Sequence, residues 1–288
     1  MISEFSQKVV VITCATGGLG RAYSEYFLLR GAKVVLHDAD RAALSALRKD
    51  LGDHKNIILS SSQDMTIPDA AKMFVENVTD YGWGVDVLVN NSPPQLISGL
   101  DSITPAEALS SLNDHLLTTI LMTQAVLEYM RACGEGRIIS TASAAGAFGA
   151  VGQTLFSAAC AGIVGFMRSL SLELAATNIR VNSIAPMTAS DHDNYLASPD
   201  PLLDRSLYDP STVVPVVAYL ASKDCQLSGQ FLSVTGGRVA HIFTSTVAGY
   251  FIHGEDHAQI GANLSAILAT NYPLIPEQAS DELLIIDV

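Results

Sequence analysis

Short apolar runs separated by helix-length stretches recur through the first two-thirds of this 288-residue chain, and that alternation limits the folds open to it. Lys8–Thr13 reads as a buried strand and Lys33–Asp38 as another; Asn56–Ser60, Val85–Asn90, Arg137–Ser140, Arg180–Ile184 and Phe231–Val234 follow. Between them lie helical patterns, the longest at about Thr104–Ala132 and Thr154–Ala176. A strand that hands over to a helix returns parallel to itself through a right-handed crossover, so helices cover both sheet faces. The prediction is an α/β fold with a doubly wound sheet of about seven parallel strands.

Two regions break the rhythm. Met187–Asp209 is polar, holds Pro199 and Pro201, and is expected to be a loop beside the site. Beyond Gly237 the chain continues through a helix-like stretch near Asp256–Thr270 to an acidic end, Glu277–Val288. We therefore expect one domain over 1–237 and an extension over 238–288, too short for a core of its own and packed on that domain or on a partner subunit.

Composition narrows the partners. Hydrophobic residues make up 49% and charged ones 16%, which hints at buried subunit interfaces, although doubly wound sheets are themselves rich in buried Val, Ile and Ala. The net charge of −13 repels polyphosphates, so nucleic acid and anionic membrane are not expected partners. No signal-peptide pattern opens the chain, and no apolar stretch reads as the ~20 residues of a membrane span. The four cysteines, Cys14, Cys133, Cys160 and Cys225, show neither CxxC spacing nor a disulfide framework. A cytoplasmic protein with reduced thiols and no metal site is the expectation.

After the first strand comes Thr13-Cys14-Ala15-Thr16-Gly17-Gly18-Leu19-Gly20, and then a helix. A glycine-rich turn there lets the backbone approach a pyrophosphate, with the helix N-terminus supplying N–H donors. Asp38 ends the second strand, 18 residues after Gly20. A carboxylate there can accept from both adenosine ribose hydroxyls and repels a 2′-phosphate, which favours NAD over NADP. This is the Rossmann-type arrangement.

Residues 6–237 resemble the short-chain dehydrogenase/reductase family. Its Thr-Gly-x-x-x-Gly-x-Gly pattern is met by Thr13, Gly18 and Gly20, with Cys14 in place of the first glycine. Asp64 matches the family residue that meets adenine. Asn90-Asn91-Ser92-Pro93 stands where the family has Asn-Asn-Ala-Gly. The resemblance implies cofactor contacts at Thr13, Gly18, Gly20, Asp38, Asp64 and Asn90. Cys14 and Pro93 leave two readings of that site: a working NAD pocket, or a relic whose turn still folds and whose NAD binding is weak or lost.

The catalytic positions depart further. The family has a serine, then Tyr-x-x-x-Lys beginning 13 residues later on a helix. This chain has Ser143, but Phe156 for the tyrosine and Cys160 for the lysine, and His115 aligns with a catalytic asparagine. In the family the tyrosine exchanges the alcohol proton, its pKa lowered by the lysine ammonium. Phe156 has no proton to exchange and Cys160 is uncharged as a buried thiol. Losing positioned acid–base catalysis typically costs ~10²–10⁴-fold. Ser206, Tyr219 and Lys223 reproduce the Ser–Tyr–Lys spacing, but in a helix before the final strand, where the match reads as chance.

Gly17-Gly18-Leu19-Gly20-Arg21-Ala22-Tyr23 and Phe148-Gly149-x-x-Gly152-Gln153 are similar to the (3R)-hydroxyacyl-CoA dehydrogenase domain of peroxisomal β-oxidation enzymes. So are Ile184-Ala185-Pro186-Met187 and the tail after Gly236-Gly237. That branch also tends to carry a histidine at the His115 position. The family associates through its two long helices, here about 104–132 and 154–176. The resemblance implies an inactive subunit supporting an active, NAD-loaded paralogue and sharing its acyl-CoA substrate. The hydroxyacyl-CoA dehydrogenase of the benzylsuccinate pathway, with active and degenerate subunits, has that form. An active oxidoreductase using His115 and an NAD(H) or ligand sensor are the alternatives.

Overall fold

Val9–Ile12 forms strand β1 and is buried along its whole length, as an apolar run without alternation requires when both faces of a parallel sheet are covered. In this computed structural model, residues 4–80, 82–93, 95, 97–188, 205–251, 258–271 and 273–282 are described. Helix α1 (Gly18–Leu29) leads to β2 (Lys33–His37), α2 (Arg41–Asp50) and β3 (Ile57–Ser61). The chain then crosses to the other side of β1 through α3 (Ala70–Thr79) and enters β4 (Val87–Asn90). Helices α4 (Pro105–Leu112) and α5 (Thr118–Cys133) precede β5 (Glu135–Thr141), and α6 (Ala145–Phe148) and α7 (Thr154–Glu173) precede β6 (Asn178–Met187). Helix α8 (Val214–Ala221) returns to β7 (Phe231–Thr235) and β8 (Arg238–Ile242).

The strand order is β3-β2-β1-β4-β5-β6-β7-β8. Every pairing from β3 to β7 is parallel. The seven predicted strands are all present, and the doubly wound α/β fold stands. An eighth strand was not foreseen: Gly236 and Gly237, both at positive φ (55° and 78°), make a two-residue turn. Such a turn folds β8 back antiparallel beside β7.

β1 connects onward to β2 on one side and its parallel neighbour β4 to β5 on the other, and between them lies the topological switch point where α/β sheets bind ligands.

The long pattern over 104–132 is helical throughout, running from α4 through one π-helical turn into α5. Thr104 and Glu107 form a capping box at the start of α4, with Pro105 in the first turn. Between α4 and α5, Asn113–Leu117 winds as a single π-helical turn. The hydroxyls of Thr118 and Thr119 donate to the carbonyls of Asn113 and His115, at 3.1 and 2.8 Å, which satisfies groups that a wider turn loosens.

Helix α7 corrects another expectation. At 20 residues it is long and apolar enough, by length and composition, to cross a membrane. Its Phe156, Ala159, Cys160, Ile163, Met167 and Leu170 are buried within the protein, as a core helix requires.

The chain divides into two compact units, Met1–His241 and Ile242–Val288. The second contains an antiparallel bridge between Thr246 and Leu274 and two short helices, α9 (Ala258–Ala262) and α10 (Leu264–Ile267). Of the expected loop Met187–Asp209, residues 189–204 lie outside the described residues, as do 256–257 of the helix-like stretch and 283–288 of the acidic end.

Candidate active-site cleft

A cleft opens at the carboxyl ends of four strands. Gly17, Gly18 and Leu19 line it after β1, Asn91, Ser92, Pro93 and Gln95 after β4, Thr141, Ala142 and Ser143 from β5, and Pro186 and Thr188 from β6, with Phe156 from α7. A second hollow shares Gln95, Ser143, Pro186 and Thr188 and continues toward Phe148 and Gln153.

The turn after β1 is held tightly. Cys14 adopts φ of 45°, in the left-handed region where a Cβ is costly. A Cβ on Gly20 would lie 2.4 Å from the Cys14 carbonyl oxygen, so only glycine fits there. Thr13 is buried, and its hydroxyl is 2.9 Å from the Asn91 N–H that donates to it, joining the ends of β1 and β4. Gly17 caps α1 with no side-chain acceptor, and the first turn has no acidic residue. The helix therefore presents unpaired N–H groups and the positive end of its dipole to the cleft.

Asp38 stands beside this turn. Its Oδ2 accepts from the Thr16 N–H at 3.0 Å and the Thr16 hydroxyl at 2.6 Å, and its Oδ1 from the Asp40 N–H at 3.1 Å. Asp64 is exposed, its Oδ1 accepting from the N–H and hydroxyl of Thr66, which hold the carboxyl below the usual range. Asn90 does not line the cleft. It is 2% exposed, and its amide donates to Thr123 and Ser140, tying β4 to α5 and β5. Asn91 takes the place at the cleft surface, linked to Thr141 and to the Cys14 carbonyl.

At the opposite end, Ser143 lines both hollows and its Oγ accepts the Ala145 N–H at 3.2 Å. Phe156 faces the same space from the first turn of α7. Cys160, one turn on, is 1% exposed, and burial pushes its thiol up to about 12. Glycine is required at Gly146 because its Cβ would meet Cys160 Cβ at 2.8 Å. His115 lies one layer behind the cleft, 4% exposed, on the π-helical turn. Burial lowers its imidazole to about 4, against a small opposing pull from Asp114. Ser92 Oγ, at the cleft surface, is 2.6 Å from His115 Nδ1. The decoy Tyr219 is half exposed on α8, outside the cleft lining.

The short chain dehydrogenase family model matches residues 8–198, from β1 through the catalytic helix and the end of β6. The chain belongs to the short-chain dehydrogenase family. Among its relatives, the peroxisomal hydratase-dehydrogenase-epimerase of Saccharomyces cerevisiae is 34% identical over 242 residues. That alignment covers 81% of this chain and 26% of the yeast enzyme, so the chain spans about a quarter of that relative. The (2S)-[(R)-hydroxy(phenyl)methyl]succinyl-CoA dehydrogenase subunit BbsD of Thauera aromatica is 31% identical, over 80% of this chain and 96% of the subunit. In fold, the full-length peroxisomal multifunctional enzyme type 2 of Drosophila melanogaster superposes with a TM-score of 0.80 at 24% identity, over 98% of this chain and 49% of that one.

Short-chain dehydrogenases typically use NAD(P), and the cleft of this member fits such a cofactor unevenly. The uncapped N-terminus of α1, with Gly17 and Gly18 exposed, suits a pyrophosphate. Asp38 already accepts from Thr16 and Asp40, and Cys160 offers a buried thiol and no cationic donor. Residues that motif reading passed over are Thr16, Gln95 and Thr141. A polar side chain in the turn opposite Asp38 is the one signal that could have exposed Thr16.

Proposed function

We propose that this short-chain dehydrogenase family member is a non-catalytic subunit that supports an active, NAD-dependent paralogue acting on a hydroxyacyl thioester. One observation carries the reading. The two positions that should exchange and tune the alcohol proton hold a phenyl ring and a buried thiol that stays protonated at neutral pH. Ser143 alone can orient a carbonyl oxygen but supplies no base. The thioester substrate class rests on similarity to relatives whose names include a succinyl-CoA dehydrogenase subunit and peroxisomal hydratase-dehydrogenases. The intact fold around the altered residues supports retention of the scaffold for assembly.

The test is co-expression with an adjacent gene encoding an intact Tyr-x-x-x-Lys dehydrogenase, followed by native mass measurement. A stable mixed complex, with NAD-linked turnover dependent on the partner's tyrosine, is the expected result. Turnover near 1 s⁻¹ by the isolated chain, within the range of working enzymes, would overturn it.

One contact favours a second reading. Ser92 at the cleft surface could pass a substrate proton to His115 Nδ1 behind it, across 2.6 Å. An imidazole held near 4 is a weak base at neutral pH, so this route is slow. Any activity of the isolated chain that vanishes in both Ser92→Ala and His115→Ala would support it.

A further inference from the structure

We infer that Thr16 limits the cofactor affinity of this chain by competing with the adenosine ribose for the Asp38 carboxylate. The inference deepens the functional reading above, in which the cleft keeps a dinucleotide shape without turnover.

The backbone builds this contact. Strand β1 runs in register with β2, Ile12 opposite Leu36, and past the end of β1 the Ala15 N–H donates to the carbonyl of His37, the last residue of β2, at 3.0 Å. Residues 16 and 38 therefore follow two anchored neighbours. Cys14, at φ 45°, turns the chain there, and the Thr16 N–H and hydroxyl both reach Asp38 Oδ2, at 3.0 and 2.6 Å. The hydroxyl contact is in the short range of charge-assisted bonds.

Counting acceptor positions shows the consequence. An ionised carboxylate has about four. Thr16 takes both on Oδ2, and the Asp40 N–H takes one on Oδ1. One remains. A ribose presents two neighbouring hydroxyls, so both can be accepted only if Thr16 lets go. Removing the Thr16 hydroxyl leaves its N–H bond in place and frees the second position.

ADP-ribose is the suitable probe, because it carries the adenosine ribose and pyrophosphate without the nicotinamide ring. Calorimetry on the full chain should find ADP-ribose bound roughly 5- to 10-fold more tightly by Thr16→Val, the size of one net hydrogen bond. Thr16→Ser, which keeps the hydroxyl, should match the wild type. In an Asp38→Ala background, Thr16→Val should change nothing, since the carboxylate being contested is gone. Circular dichroism accompanies each variant, and Thr16→Ala replaces Thr16→Val if the valine variant does not fold. Equal or weaker binding by the hydroxyl-free variant, a gain that persists without Asp38, or no detectable binding in either protein would overturn the inference. NAD-linked turnover by the wild-type chain would overturn the functional reading instead. It would leave this result intact, because ADP-ribose cannot accept hydride.

Discussion

The imidazole of His115 meets the ring of Phe156 edge-on, with centroids 5.1 Å apart and planes at 70°. The contact joins Phe156 in the wall of the cleft to His115 in the layer behind it. Edge-to-face packing of this kind adds about 0.5–1.5 kcal/mol beyond area burial, so the pair contributes to holding α7 against the π-helical turn. A hydroxyl restored on Phe156 would enter a site already arranged around a nonpolar ring.

Phe156→Tyr alone should therefore fold and still show no NAD-linked oxidation of 3-hydroxyacyl thioesters. Without a neighbouring ammonium, the new phenol keeps a pKa near ~10 and is a poor base at neutral pH. Phe156→Tyr with Cys160→Lys should gain turnover over the single variant and lose roughly 2 kcal/mol of stability or more, because the lysine grows from a site 1% exposed. Absorbance of the reduced cofactor and urea denaturation read the two effects. Wild-type turnover equal to that of the double variant would contradict the account.

His115 should make the protein acid-sensitive. Its folded pKa is lowered to about 4 from an ordinary 6.5, so above pH 6.5 the group is neutral in both states and contributes no pH dependence. Between 6.5 and 4 the unfolded chain takes up the proton first, and stability falls as pH falls; below 4 the loss levels off. From pH 7 to pH 5 the penalty is about 2 kcal/mol by linkage. Denaturation of wild type and His115→Asn at both pH values should show the variant losing less by that amount. His37, lowered by burial in the same direction, is common to both proteins and cancels.

At the turn after β1, Cys14 and Gly20 should respond in opposite ways. Gly20→Ala places a Cβ 2.4 Å from the Cys14 carbonyl oxygen and should cost ~2–3 kcal/mol or prevent folding, as overpacking does. Cys14→Gly relieves ~1 kcal/mol of left-handed strain and loses a similar amount in chain entropy, so its net effect should be small. Cys14→Val, with a branched Cβ at φ 45°, should lose stability relative to both. Urea midpoints order the three variants.

Helix α7 offers a test of assembly through its exposed residues. Ala161 and Leu172 are exposed on that helix. Ala161→Asp or Leu172→Asp should leave the isolated chain folded by circular dichroism. In the mixed complex, either should weaken association at least 10-fold in native mass titrations, because a lone charge in an apolar interface is costly. Unchanged assembly would place the interface on another face.

Strand–helix alternation, the glycine turn and Asp38 were legible in the sequence because each depends on neighbours within one β-α unit. Phe156 and Cys160 at the Tyr-x-x-x-Lys spacing were equally legible, because residue identity and spacing along one helix do not depend on the rest of the fold. The tertiary structure decided what lay between units. It placed Asn90 behind the cleft and Asn91 on it, because successive side chains at the end of β4 point to different surroundings. It wound one π-helical turn into the long 104–132 pattern, and set His115 there against Phe156 and Ser92, distant in sequence. It also closed Thr16 onto Asp38, a contact across two strands whose register only the assembled sheet sets.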